Sequence, residues 1–172
     1  MTGKTFLLSM LVLCLVYQAV GVNLNHEYSE VKKLPAYGSS TGGQPFEYRS
    51  SSSKNCRLST LLIKQVQYIN GLEAIFDCGG NNFEKSGQVG NWTKGNLKGW
   101  EDEGKQIVKV NIWTGALVDG FEFVFADGST SFHFGGYGGS QKSFNVDAGW
   151  TIMGVYGRTG DDFDQLGFIV GR

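Results

Sequence analysis

Hydrophobic and polar residues alternate along most of the chain after about residue 22. Aromatic and β-branched residues are abundant, and clusters of Gly, Asn and Asp interrupt them at short intervals, which is typical of short β-strands. The alternation predicts strands over residues 61–68, 106–113 and 151–156. No helical stripe follows the first 21 residues, so the pattern predicts an all-β fold.

The predicted strands recur in the same order. Residues 70–76 (NGLEAIF) reappear as 119–125 (DGFEFVF) and again as 164–170 (DQLGFIV). An aromatic residue with a nearby glycine precedes each copy, and we align these residues as Phe46, Trp92 and Phe144. Three copies of about 45 to 50 residues predict approximate threefold internal symmetry, whereas three propeller blades would be too few to close.

The second and third copies share a turn of the form Gly-x-x-x-Asp. It reads GALVD at 115–119 and GDDFD at 160–164, whereas the first copy has VQYIN at 66–70, without the glycine and the acid. A glycine at a positive φ lets the chain double back with its N–H groups outward, and the Asp supplies a fixed acceptor. Such a turn matches two adjacent sugar hydroxyls, so we expect two sugar sites.

The closing segment IMGVYGRTGDDFDQLGF at 152–168, the two turns, the threefold repeat and the glycine loops resemble the jacalin-related lectins. The resemblance runs over residues 36–172 and implies a β-prism of three Greek-key four-stranded sheets. It further implies that a glycine loop and the Gly-x-x-x-Asp turn hold each sugar. The residues carried over for the first site are Gly43, Gly160, Asp161, Asp162, Phe163 and Asp164. Those for the second are Gly115, Ala116, Leu117, Val118, Asp119 and Gly139, with Tyr137 added as an aromatic in its loop.

The chain departs from the family pattern in two respects. The first loop reads SSTGG at 39–43 where members often have Gly-Gly-x-Gly-Gly, and the third expected turn is missing. Galactose-type members use a processed N-terminal glycine, which has no counterpart beside Gly42, so the resemblance implies mannose or glucose ligands.

The first residues predict secretion. Residues 1–21 have the short apolar run and small-residue end of a cleaved signal peptide, and residues 22–35 form a polar segment before the domain. Cys14 would leave with the signal, so Cys56 and Cys78 would form a disulfide in an extracellular compartment or remain two buried thiols. Asn91 begins the sequon Asn91-Trp92-Thr93 and is a candidate for N-glycosylation.

The balance of 15 basic against 16 acidic residues excludes the strongly basic surfaces that bind nucleic acid, and no second apolar span predicts membrane insertion. The acids at 161–164 could instead bind calcium, act as a hydrolase pair or cap turns, but they lack the EF-hand spacing and the separation across a substrate. With His26 and His133 as the only histidines, no zinc site or cofactor is expected.

The sequence therefore predicts a secreted, non-enzymatic, calcium-independent lectin for mannose- or glucose-type glycans and glycoproteins, with a possible homodimer. The alternative is a matrix or scaffold protein that uses the prism for protein or mineral contacts. Tyr137, Trp150 and Phe163 could stack on a sugar or belong to the core, and the glycine loop favours an exposed Tyr137.

Overall fold

A computed structural model describes residues 28–51 and 56–172, so the predicted signal peptide and His26 lie outside the described residues. The described residues form fourteen β-strands and no helix, which confirms the all-β prediction. No helix in this part of the chain is long and apolar enough to cross a membrane. The strands are β1 (Val31–Lys33), β2 (Tyr37–Gly38), β3 (Gln44–Arg49), β4 (Arg57–Gln65), β5 (Ile69–Asp77), β6 (Phe83–Lys85), β7 (Val89–Gly90), β8 (Asn96–Glu101), β9 (Ile107–Thr114), β10 (Val118–Phe125), β11 (Phe134–Gly135), β12 (Ser140–Asn145), β13 (Thr151–Thr159) and β14 (Phe163–Gly171).

The strands form three antiparallel sheets, one for each sequence repeat. Sheet I has the order β1-β14-β13-β3, sheet II the order β6-β5-β4-β8, and sheet III the order β11-β10-β9-β12. The prediction of three four-stranded sheets is confirmed for the main path of each sheet. Two short strands add to it, because β2 pairs with β14 and β7 pairs with β5.

Sheet I joins the two ends of the domain. β3 from the start of the domain pairs with β13, and Thr159 faces Gln44 at the end of this ladder. β1, which precedes the predicted boundary at residue 36, pairs with β14, and Leu34 after it is buried. This pairing brings the early glycine loop of residues 42–43 beside a turn from the last repeat.

The core lies between the inner faces of the three sheets, where the central strands β5, β10 and β14 contact one another. Phe168 of sheet I packs on Phe121 and Phe123 of sheet III, with ring centroids 6.0 and 5.9 Å apart. Buried and more exposed positions alternate along much of β4 in sheet II and in the second half of β10 in sheet III, as the period-two pattern predicts, whereas β14 of sheet I is buried from Leu166 to Gly171. Facing sheets bury their apolar sides against one another, which no single sheet could do.

The strand ends and two of the three aligned aromatics were predicted wrongly. β4 ends at Gln65, so residues 66–68 form the turn rather than strand, and β13 continues to Thr159. The equivalent residues Leu61, Val110 and Val155 face Trp100, Phe144 and Tyr48. Trp92 lies in a loop instead, and Phe46 is two residues away from the equivalent position. Alternation alone does not mark where a strand passes into its turn, because turn residues such as Tyr68 continue the pattern.

Of the two alternatives for Cys56 and Cys78, the structure contains the disulfide. Cys56 and Cys78 are bonded, and they flank the paired strands β4 and β5, whose ladder begins at Arg57 and Asp77. The bond therefore closes the open end of this hairpin.

Candidate functional site

The same β-bulge occurs at the turn of all three central hairpins. In sheet I the ladder passes from Phe163 to Gln165 and skips Asp164; in sheets III and II it skips Asp119 and Asn70 in the same way. A bulge leaves one residue unpaired and turns its side chain away from the regular pleat. These three residues therefore have equivalent positions, two of them acids.

Each bulged residue is fixed by its backbone carbonyl to the neighbouring loop. Ser39 N donates to Asp164 O at 2.7 Å, Gly136 N to Asp119 O at 2.8 Å and Asn91 N to Asn70 O at 2.7 Å. Because the carbonyl is held, the side chain has a defined direction toward a glycine loop.

At the first site, this loop is Gly42-Gly43. A Cβ built on Gly42 would lie 1.9 Å from Asp164 Oδ1, and one on Gly43 would lie 2.5 Å from Asp164 Oδ2. Only glycine allows such a close approach, and Gly43 also has a φ of 44°, which favours glycine. The loop and the acid carried over from the family are thus brought together, although they come from opposite ends of the domain.

Arg158 holds this loop in place. Its Nη2 donates to Gly43 O at 2.9 Å, and its Nε donates to Gly42 O. The corresponding residue of sheet II, Lys64, donates to the carbonyl of Gly95 at 2.9 Å. This role of Arg158 was not predicted, because nothing in the sequence connects an arginine of the last repeat with the carbonyls of the 42–43 loop.

The second site repeats this geometry in sheet III. A Cβ on Gly138 would lie 2.2 Å from Asp119 Oδ1, and Gly139, with a φ of 66°, packs against the backbone of Thr114. Asp119 is only 8% exposed. The structure thus brings Asp119, Gly115 and Gly139 together as predicted. Only a small part of Asp119 is exposed to solvent.

One detail of the predicted turn was wrong. The glycines that open the turns, Gly115 and Gly160, are not at positive φ, whereas the loop glycines Gly43 and Gly139 are. A Cβ on Gly160 would have Gly43 Cα at 3.9 Å and Asp164 Oδ2 at 4.0 Å as its nearest neighbours. The backbone conformation at residue 160 therefore does not require glycine. The absence of a side chain there keeps the space between the 160–164 turn and the 42–43 loop open.

The two middle acids of the first turn contact sheet II. Asp162 Oδ1 accepts hydrogen bonds from Lys94 Nζ at 2.5 Å and from Asn70 Nδ2. Asp161, which is exposed, accepts a longer bond of 3.4 Å from Asn91 Nδ2. These carboxylates thus position the turn from outside, whereas the carboxylate of Asp164 faces the glycine loop.

The third position does not form a comparable site. Asn70 takes the place of the acid and is fully buried. A Cβ on Gly95 of the adjacent loop would lie 2.8 Å from Asn70 Oδ1. The bulged residue itself supplies no carboxylate here, in agreement with the expected loss of this turn.

The aromatic candidates divide between core and surface. Phe163 and Val118 are fully buried and Trp150 is 8% exposed, so these three side chains belong to the core. Tyr137 is 67% exposed and stacks on His133, with ring centroids 3.7 Å apart. Of the turn residues of the second site, Ala116 is exposed and Leu117 partly buried.

Burial raises the pKa of the Asp119 carboxyl above its ordinary value of 3.8, although backbone hydrogen bonds at Gly115 and Asp119 itself oppose part of this effect. The folded protein therefore binds the proton more tightly than the unfolded chain does. It follows that this group favours the folded state most below pH 3.8 and progressively less as the pH rises through the raised pKa.

This shift predicts an acid limit for ligand binding at the second site. Protonation removes the anionic acceptor, so in an Asp164→Asn variant the remaining affinity should fall as the pH drops, with a midpoint above 3.8. Calorimetric titrations with a mannoside over a series of pH values measure the midpoint. A midpoint below 3.8 would contradict the effect of burial.

The fold and the paired turns define a β-prism of the kind found in the jacalin-related lectins. No protein-family model matches the chain. Its resemblance to solved structures is nevertheless clear: they align over more than four fifths of the chain with TM-scores of 0.68 to 0.71, which confirms the predicted fold.

Three such structures are mannose-binding lectins. AcmJRL of Ananas comosus, a mannose-binding jacalin-related lectin, is 24% identical with a TM-score of 0.68 and covers 81% of this chain and 96% of its own. Artocarpin complexed with methyl-α-mannose is 17% identical with a TM-score of 0.71, covering 84% and 99%. The mannose-binding lectin from champedak is 19% identical with a TM-score of 0.70, covering 83% and 97%.

One relative by sequence is not named as a lectin. A Schizosaccharomyces pombe protein named as a zinc metalloproteinase is 35% identical over 103 residues, which are 59% of this chain and 16% of that protein. This chain thus spans less than a fifth of that relative. The two histidines of this chain, His26 and His133, are too far apart to form the His-Glu-x-x-His zinc motif.

Proposed function

We propose that this protein is a secreted lectin that binds mannose- or glucose-type glycans at two sites, without calcium and without catalysis. The observation that carries the proposal is the repeated pairing of a bulged acid with a close glycine loop, at Asp164 with Gly42-Gly43 and at Asp119 with Gly138-Gly139. The mannose-binding lectins that share its fold support the choice of ligand.

In the proposed binding mode, each carboxylate accepts hydrogen bonds from two neighbouring hydroxyls of one sugar. The backbone of residues 161 and 162, or of 116 and 117 at the second site, donates to the same hydroxyl oxygens, and the loop glycine adds a further backbone contact. Hydrogen bonds to a charged partner contribute about 1.5 to 3 kcal/mol each, which is sufficient for a shallow site. The buried side chains of Phe163 and Val118 hold their backbone rigid.

The contacts of the acids support calcium independence. Calcium requires six to eight oxygen ligands, whereas Asp162 is bound by a lysine and an amide and Asp164 faces glycines. Within the described ranges, the one group of three potential metal ligands is Cys56, Cys78 and Glu84, and its cysteines form the disulfide. The same engagement of Asp162 argues against a pair of catalytic carboxylates.

The disulfide supports secretion, because such bonds persist in oxidising compartments. The signal peptide at 1–21 and the homodimer remain predictions.

A glycan array tests the function directly. We expect binding to mannose- and glucose-type glycans that survives EDTA. Loss of binding in EDTA would contradict calcium independence, and absence of binding to every glycan would favour the scaffold alternative. Incubation with casein and peptide substrates should yield no cleavage, with or without added zinc.

A further inference from the structure

The glycosylation sequon lies at the rim of the first site. Asn91 follows β7 in the loop of the third, inactive position, and its backbone N–H is fixed to Asn70 O at 2.7 Å. Its side-chain Nδ2 is 3.4 Å from Asp161 Oδ1, three residues before Asp164. The loop of the position that has Asn70 in place of the acid therefore borders the neighbouring site.

The sequon has a defined local geometry. Asn91 Oδ1 accepts from Thr93 N at 3.0 Å and from Thr93 Oγ1 at 2.7 Å. Both bonds hold the carboxamide oxygen toward Thr93, so the nitrogen is the atom that faces the turn at 160–164. Thr93 is exposed, and Asn91 is partly exposed, so this surface is accessible in the described chain.

The loop cannot move away from the turn easily. Lys94, adjacent to the sequon, donates to Asp162 Oδ1 at 2.5 Å. A Cβ on Gly90, just before it, would lie 2.8 Å from Phe163 Cε2, so backbone and core are in direct contact there. A group attached to Asn91 Nδ2 would therefore stay beside Asp161.

We infer that Asn91 is N-glycosylated and that its glycan restricts the Asp164 site, so that the modified chain binds branched oligomannose chiefly at the Asp119 site. In the modification, the carboxamide nitrogen bonds to the anomeric carbon of a lipid-pyrophosphate-linked oligosaccharide. The anomeric C–O bond breaks, the lipid pyrophosphate leaves with the electron pair, and the nitrogen loses one proton. The first sugar then stands next to Asp161, in the path of a large ligand.

This inference rests on the proposed lectin function, which supplies the ligand whose access changes. The two sites differ in the residues that could contact this loop. At the second site, Ala116 and Leu117 take the places of Asp161 and Asp162. The glycan thus provides control of one site while the other serves as an internal reference.

The experiment uses the full chain with Asp119→Asn, so that only the first site remains, secreted from a eukaryotic host. Thr93→Val removes the sequon, whereas Thr93→Ser keeps both the sequon and the hydroxyl. Mass spectrometry should find a glycan on the parent and on Thr93→Ser but not on Thr93→Val. Calorimetry with a branched oligomannose should then show about tenfold tighter binding by Thr93→Val, equivalent to about 1.4 kcal/mol.

Production in a bacterial periplasm separates the glycan from the effect of the Thr93 side chain. Neither the parent nor Thr93→Val carries a glycan there, and the two should bind equally. An unmodified Asn91, or equal affinity with and without the glycan, would overturn the inference while leaving the lectin function intact. Failure of the unmodified chain, with both acids present, to bind any mannoside would instead overturn the proposed function.

Discussion

Replacing Asp164 by Asn is expected to abolish sugar binding at the first site, and Asp119→Asn should do the same at the second. Each change keeps the shape of the side chain but replaces the anionic acceptor by an amide. Two charged hydrogen bonds to adjacent hydroxyls would be weakened together, a loss of about 3 kcal/mol or more, which corresponds to more than about a hundredfold in affinity. Calorimetry should report one remaining site in each single variant and none in the double variant.

Asp127→Asn provides the matched control, with all variants produced in a bacterial periplasm, because this change creates an Asn-Gly-Ser sequon at 127–129. Asp127 lies two residues beyond the end of β10 that is opposite to Asp119, and it is exposed, so the substitution removes one carboxylate away from the site. Its sugar binding should equal that of the parent. Circular dichroism should show the strand signal in all variants, and a double variant that retained its full complement of bound mannoside would refute the assignment of these acids.

The fold and the turn positions of Asp119 and Asp164 could be predicted from sequence, because the strand motif and the turn each occur more than once in the chain. The motif around 119–125 and 164–170 identified equivalent strands, and the shared turn identified Asp119 and Asp164. The family resemblance added Gly43 and Gly139, which no local pattern connects with these acids.

The arrangement of the side chains could not be predicted, because it depends on contacts between distant segments. The bulge that aims Asp164 is a shift of pairing between strands and leaves no mark in the alternation of residues. The bonds from Arg158 to the 42–43 loop, and from Lys94 and Asn70 to Asp162, cross between repeats. The sequence therefore identified Asp162 as an acid of the turn, but its partners required the folded chain.

The structure also changes the predicted role of the glycines at the two sites. The turn pattern predicted a positive φ at Gly160 and Gly115, whereas the glycines at positive φ are Gly43 and Gly139. The residues before these two, Gly42 and Gly138, are not at positive φ, yet they leave no room for a methyl group next to an acid. Close packing, rather than backbone conformation, requires glycine at these two positions.

Gly42→Ala should therefore destroy the first site while leaving the second intact, and Gly138→Ala should have the converse effect. The added Cβ would lie 1.9 Å from Asp164 Oδ1 in the first case and 2.2 Å from Asp119 Oδ1 in the second. Aspartate is too short to move aside, and Arg158 holds the carbonyl of Gly42, so either the loop or the carboxylate must shift. Overpacking of this kind destabilises a protein by about 1 to 3 kcal/mol, and a displaced acceptor should weaken binding by more than about tenfold.

Gly99→Ala is the control for this pair of substitutions, because a Cβ there would meet Leu62 Cδ2 at 3.4 Å, an ordinary contact, on the exposed part of β8. Binding at each site can be measured separately by combining each glycine variant with Asp119→Asn or Asp164→Asn. If Gly42→Ala bound mannoside at the Asp164 site with the affinity of Gly99→Ala, the close contact between loop and acid would not be required for recognition. Loss of binding at both sites in either single glycine variant would instead show that the two loops depend on each other, because the separation of the sites in sheets I and III predicts independent effects.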